Sequence, residues 1–156
     1  MERSTQHATF VIERTYDATP ARVFRAFADP AAKTEWFNGP DGWERRKYAL
    51  DFRVGGHEIS SVGPPGGPAH IFEASFHDIV PNERITFSYT MDIGETRLSA
   101  SVTTIELKGA GTGTQLRFTE QGVFFDGHED PEIREHGTGE LLKSLERALR
   151  AQPANV

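Results

Sequence analysis

A chain of 156 residues with 37% hydrophobic and 26% charged residues has the expected length of one domain and the make-up of a packed globular protein, which excludes a disordered chain. Zero cysteines exclude a disulfide framework, thiolate catalysis and sulfur-built zinc sites. Seventeen basic against 23 acidic residues, a formal charge of −6, repel a nucleic-acid backbone.

No apolar run approaches the roughly 20 residues of a membrane span, and Met1 to His7 lacks the apolar stretch of a secretion signal. The expectation is a cytoplasmic single domain over 1–156 with its core at about 8–151, without membrane insertion. In chain order, a first strand is expected from Ala8 to Tyr16, with Phe10, Ile12 and Tyr16 on one parity. Two short helices follow, each opened by a cap and a proline: Thr19-Pro20 and Asp29-Pro30. Val23, Phe24 and Phe27 form the apolar face of the first, about 20–28. The second should run from Pro30 to about Phe37, where Asn38-Gly39-Pro40-Asp41-Gly42 stops it. Neither is long enough to stand alone, so both must lie against the sheet.

Strands are then expected at about 46–53, 56–62, 69–79, 84–91, 96–108 and 114–121, joined by turn sequences such as Gly55-Gly56 and Pro81-Asn82. Alternation is plain in Ile85, Phe87, Tyr89, Met91 and in Leu116, Phe118, the mark of an antiparallel sheet with one buried face. The basic run Arg45-Arg46-Lys47 reads as a solvated strand end. Gly109-Ala110-Gly111-Thr112-Gly113 joins two strands, so it is a hairpin rather than a phosphate loop. A closing helix is expected from Pro131 to about Ala151, with Ile133, Leu141, Leu142, Leu145, Ala148 and Leu149 on one stripe and Gly137 and Gly139 within it. Those glycines serve either close packing over the sheet or room for a ligand beside the helix.

An amphipathic helix over a curved sheet leaves either a thick core or a cavity. Interior candidates by parity are Phe72, Phe76, Phe87, Tyr89, Leu116 and Phe118, with Trp36, Phe37 and Phe124 near the openings and Gly137 and Leu141 on the helix. These residues are the candidate ligand-binding set.

The segments Arg14-Thr15-Tyr16-Asp17-Ala18, Val23-Phe24-Arg25-Ala26-Phe27, Asp29-Pro30, Trp36-Phe37, Asp51-Phe52-Arg53-Val54-Gly55-Gly56, 76–87 and Gly113-Thr114-Gln115-Leu116 resemble the START-like or SRPBCC superfamily, and within it the family of the activator of heat-shock protein 90 ATPase. The resemblance spans roughly residues 9–150. It implies an α+β helix-grip fold: a curved seven-stranded antiparallel sheet, two short helices after the first strand, and a long C-terminal helix over a cavity. Members of the superfamily bind lipids, sterols, polyketides or plant hormones, and some are aromatases or cyclases. The family often has Gly-Trp early in the last helix, whereas this chain has Gly137-Thr138, and the missing indole enlarges or re-shapes the cavity.

Among titratable residues, Glu120 continues the inward parity of Leu116 and Phe118; it is either a strand-end glutamate or a cavity carboxylate able to act as acid or base. Arg14 shares the inward parity of the first strand, to anchor an acidic group or to pair with a neighbouring carboxylate. His128, Glu132 and His136 are spaced by four, but Pro131 starts the helix after His128, so no metal site is expected; His136 remains a secondary catalytic candidate. His70 and His77 fall on opposite faces of their strand.

The sequence thus expects a binder of a small apolar or amphipathic ligand of lipid or polyketide type, without a cofactor. The alternatives are a cyclase- or hydratase-type enzyme using Glu120 or a cavity histidine, and a chaperone-regulating module as the family name implies. Trp36 and Trp43 form a candidate homodimer patch.

Overall fold

The computed structural model describes residues 2–152; residues 1 and 153–156, the extremities of the expected domain, lie outside the described residues. Strand β1 (Thr5–Tyr16) leads into α1 (Pro20–Ala28) and α2 (Pro30–Lys33). Then come β2 (Glu44–Leu50), β3 (His57–Gly63), β4 (His70–Val80), β5 (Arg84–Ile93), β6 (Thr96–Ala110), β7 (Gly113–Phe125) and α3 (Pro131–Ala151). One antiparallel sheet runs in the order β1-β7-β6-β5-β4-β3-β2. Strands β1 and β2 are neighbours in sequence yet form opposite edges, so α1 and α2 carry the chain across the sheet. Register shifts that leave an extra residue in β2, β4 and β6 add local twist and bend.

The three N-caps form as the sequence requires. Side chains of Thr19, Asp29 and Asp130 accept from the amides of Arg22, Ala31 and Glu132, each with proline at the start of the helix. Helix α3 is tied down along its C-terminal half: Tyr16 OH donates to the Leu142 carbonyl at 3.0 Å, and Arg22 donates to that of Leu149 at 2.9 Å. In the same half Leu142 and Leu145 are fully buried in the cluster with Ile12, Ile105 and Leu116, each stabilising the fold by about 1.5–3 kcal/mol.

Several boundaries differ from the sequence expectation. Strand β1 begins at Thr5 rather than Ala8, and β7 continues to Phe125 rather than 121, because residues 5–7 pair with 123–125. Strand β2 ends at Leu50: Arg53 and Gly56 amides turn back on the carbonyls of Asp51 and Arg53, and a Cβ at Gly56 would strike the Asp51 carbonyl. Helix α2 stops at Lys33 instead of reaching Phe37. Beyond it the amides of Glu35 and Trp36 reach back only three residues, and Trp36 Nε1 donates to the Ala26 carbonyl at 2.9 Å, drawing the indole into the core.

Trp36 is therefore 4% exposed, and Trp43 is half-buried on the His70 ring at 4.5 Å. The expected Trp36–Trp43 surface patch does not exist. In α3, Ile133 is 66% exposed rather than part of the buried stripe, and Arg134 and Thr138 take the inner position. A step of one residue is about 100° of helix, so seating Arg134 inward turns Ile133 out.

Candidate functional site

The inner face of the sheet carries two kinds of side chain. Between α3 and the strands β1, β7 and β6 the packing is apolar. On the β4–β5 side, Phe72, Tyr89 and Ala74 form a separate cluster with Phe37, Phe87 and Met91 against it. Phe37 meets Phe72 edge-on at 5.2 Å, Phe72 lies 4.7 Å from Tyr89, and Phe76 and Phe87 are 6.0 Å apart. Phe37, Phe87 and Met91 stay only half-buried although they point inward.

The reason lies in the placement of α3. Its nearest backbone neighbours are β1 and α1, so its other flank stands away from the β4–β5 rings. Ile133, Gly137 and Leu141 follow one another at intervals of four along the helix and therefore share a face. Gly137 is exposed, and a Cβ there would meet no atom within 4 Å. Gly139 faces Arg14 instead, whose nitrogen would lie 3.5 Å from its Cβ, on the β1 side. The two glycines thus differ: one adjoins open space, and a Cβ on the other would rest in ordinary contact with a guanidinium.

Behind the rings lies a buried polar network. Glu120, 2% exposed, accepts from Tyr89 OH at 2.9 Å and from Thr103 at 3.1 Å. Arg134, 8% exposed, donates from Nη1 to Tyr89 OH at 2.9 Å, from Nη2 to Ser99 at 2.9 Å, and through Nε and Nη2 to both oxygens of Glu129 at 2.7 and 2.9 Å. Its guanidinium also lies 5.1 Å from the Phe124 ring. Burial raises the Glu120 carboxyl above its ordinary value, with the Tyr89 hydrogen bond and the Arg134 charge opposing. Burial likewise raises Tyr89, reinforced by the charge of Glu120.

The pH consequence has a definite sign. A raised carboxyl keeps its proton in the folded chain above the ordinary value of 4.5, where the unfolded chain has begun to lose it. Its stabilisation is full in acid and is lost as pH climbs from 4.5 through the folded value. Urea unfolding of the native chain and of Glu120→Gln across that range should show the native chain losing stability relative to the variant. Parallel pH curves would contradict the buried proton.

A second buried pair lies under α2. Lys33 Nζ contacts Glu58 at 3.0 Å and hangs 4.4 Å from the Phe37 ring centre, while Tyr48 OH donates to the other Glu58 oxygen at 2.7 Å.

Of the residues singled out from sequence, Phe37, Phe72, Phe87 and Tyr89 cluster on the β4–β5 side, while Leu141 packs half-buried against the main core and Gly137 is exposed on α3. Trp36, Phe76, Leu116 and Phe118 are packed in the main core, and Phe124 is buried beneath Arg134. Glu120 is inside, whereas His136 is exposed and 3.8 Å from Glu140 on the same helix. His70 sits at the Trp43 end of the inner face, its ring lowered by burial against the opposing charge of Glu129. His77 is on the outer face, bonded to Ser88. Sequence reasoning missed Arg134, Glu129, Lys33 and Glu58. Among the described residues no three His, Asp or Glu side chains converge as metal ligands.

The outer face has an open hollow of about 1120 Å³, lined by His57, Ser75, Ser88, Thr90 and Gln121 among others. It is the saddle of a twisted sheet, without an aromatic ring of its own except the back of Tyr89, and its His57 is satisfied by Ser75 at 3.1 Å. The inner gap, with rings and buried charge together, is the better-built site.

A bent antiparallel sheet, a helix pair spanning its end and a long C-terminal helix laid over its inner face define a START-like, helix-grip protein of the α+β class. A family model described as activator of Hsp90 ATPase homolog 1-like protein matches residues 17–150, and the chain belongs to that family. Solved structures agree. An uncharacterized protein from Rhizobium leguminosarum is 46% identical over 97% of this chain and all of its own, with a TM-score of 0.92. The Mll3558 protein from Rhizobium loti is 50% identical over 93% of this chain and 99% of its own, at 0.87. The CV1439 protein from Chromobacterium violaceum is 30% identical over 92% and 98%, at 0.78. A search among curated proteins returned no match. No helix among the described residues is long and apolar enough to cross a membrane.

Proposed function

We propose that the chain binds a small, largely apolar molecule of lipid or polyketide type in the gap between α3 and the β4–β5 rings. One observation carries this reading: Phe37, Phe87 and Met91 point inward yet are only half-buried, and the overlying helix carries a glycine with open space at its Cβ. A core that had closed would bury them, since each ring repays burial by about 1.5–3 kcal/mol. Ile133 at the end of the same helix face supplies an apolar rim.

Filling the gap is the test. Gly137→Leu should add about 1 kcal/mol of helix stability, because glycine is the poorer helix former. It should also abolish the fluorescence rise of Nile red that the native chain is expected to give. A variant that is more stable but binds the dye undiminished would refute the reading.

A second reading is favoured by Glu120 alone. A carboxyl that burial shifts upward, behind a tyrosine hydroxyl, is suited to proton transfer with a substrate folded in the gap, as in cyclase- or hydratase-type reactions. Turnover lost in Glu120→Gln with dye binding intact would support it over simple binding.

A further inference from the structure

We infer that the gap selects uncharged amphiphiles, those with an alcohol, phenol or ketone head, and rejects carboxylates and other anions. This rests on the binding reading above and adds the class of ligand. Two cations stand at the inner face on the open side of α3, Lys33 and Arg134, and both are spent. The Arg134 guanidinium has Glu129 in a two-point bond, Ser99 on Nη2 and Tyr89 on Nη1. Lys33 is held by Glu58. Each cation thus has its own carboxylate, Glu58 for Lys33 and Glu129 for Arg134, with the Glu120 carboxyl beside them.

The other basic groups do not change the balance. Arg14 lies on the β1 side of α3, beside Gly139. Arg45 is exposed on β2 and turned to the Thr34 and Phe37 carbonyls and Asn38. His70 is pushed towards its neutral form by burial. An anion entering the gap therefore finds no free cation to offset its own desolvation, where the dielectric is low and screening weak. To gain a partner it must break the Arg134–Glu129 pair.

An uncharged head faces no such penalty, and one unpaired hydroxyl lies on the inward row of β6, seated against Gly122 of β7. Ser101 Oγ is buried, the residue being 4% exposed, and has no hydrogen-bond partner. It stands between Ser99 and Thr103 on the same inward row and opposite Tyr89 across the β5–β6 pair. The other unpartnered buried side-chain atom among the described residues, Arg22 Nε, is away on α1. A buried hydroxyl without a partner carries a desolvation cost that a ligand hydroxyl or carbonyl removes.

Calorimetry at neutral pH with 2-naphthol and 2-naphthoate, matched in shape and differing in charge, tests this on the full chain. Naphthol should bind at least tenfold more tightly. Glu129→Gln, which frees the guanidinium, should raise naphthoate affinity at least tenfold and leave naphthol unchanged. Naphthoate binding as well as naphthol to the native chain overturns the selectivity and leaves the binding reading standing, as does Nile red binding without naphthol binding. Failure of naphthol and Nile red alike overturns the binding reading and this inference with it.

Discussion

Replacing Arg134 with leucine is expected to destabilise the fold by about 3–5 kcal/mol, the usual cost of removing one partner from a buried charged network. The loss has several parts. Glu129 gives up both its bonds, Ser99 and Tyr89 each lose a donor, and Glu120 loses the cation 3.9 Å away that opposes its burial. Lysine is no substitute, because one ammonium cannot reach Glu129, Ser99 and Tyr89 from a single point. Urea unfolding will measure the effect, and Arg134→Leu combined with Glu129→Gln should recover part of it. A loss below about 1 kcal/mol would mean that the network is energetically neutral against a hydrophobic replacement.

The second large effect is at Glu58. Substitution by leucine strands the Lys33 ammonium in a buried position ringed by Phe27, Trp36 and Phe37, and takes the acceptor from Tyr48. Cation–π attraction recovers only about 0.5–2 kcal/mol, so a net cost of about 3–5 kcal/mol is expected. The double variant Lys33→Met with Glu58→Leu should regain most of it, and a double-mutant cycle in urea gives the coupling directly. Additive single losses would show that the two side chains act separately. Because α2 is one turn long and leads straight to Phe37, amide exchange at 33–38 should quicken in Glu58→Leu before it does elsewhere.

Most of the sheet was legible in the sequence because a period of two is unmistakable in residues such as Ile85, Phe87, Tyr89 and Leu116, Phe118, Glu120. Parity pointed Glu120 inward but left a solvent-turned strand end open, and the structure buries it. The network around it was not legible, since Ile133 beside Arg134 looked the better inward residue and a neighbouring apolar residue easily sets the helix phase wrong. The spacing Arg134, Thr138, Leu142, Leu145, Leu149 was available as a competing stripe and would have turned Arg134 inward. The Lys33–Glu58 pair carries no local signal at all: 25 residues separate its members, and only the passage of α1 and α2 across the sheet brings them together. The end of α2 was missed for a related reason, because a bond from Trp36 to Ala26 outweighs the helical preference of the residues between.

The outermost strand, β2, has a consequence beyond the site. Its free backbone edge is short, carries Arg45, Arg46 and Lys47, and is broken by a register shift between the first and last of these. An incoming strand from another molecule would have to match a kinked ladder while bringing its own charges against three cations. Crowded solutions of this protein therefore lack a smooth template at that margin for polymerising strand upon strand, and the basic run serves as a guard against fibril growth.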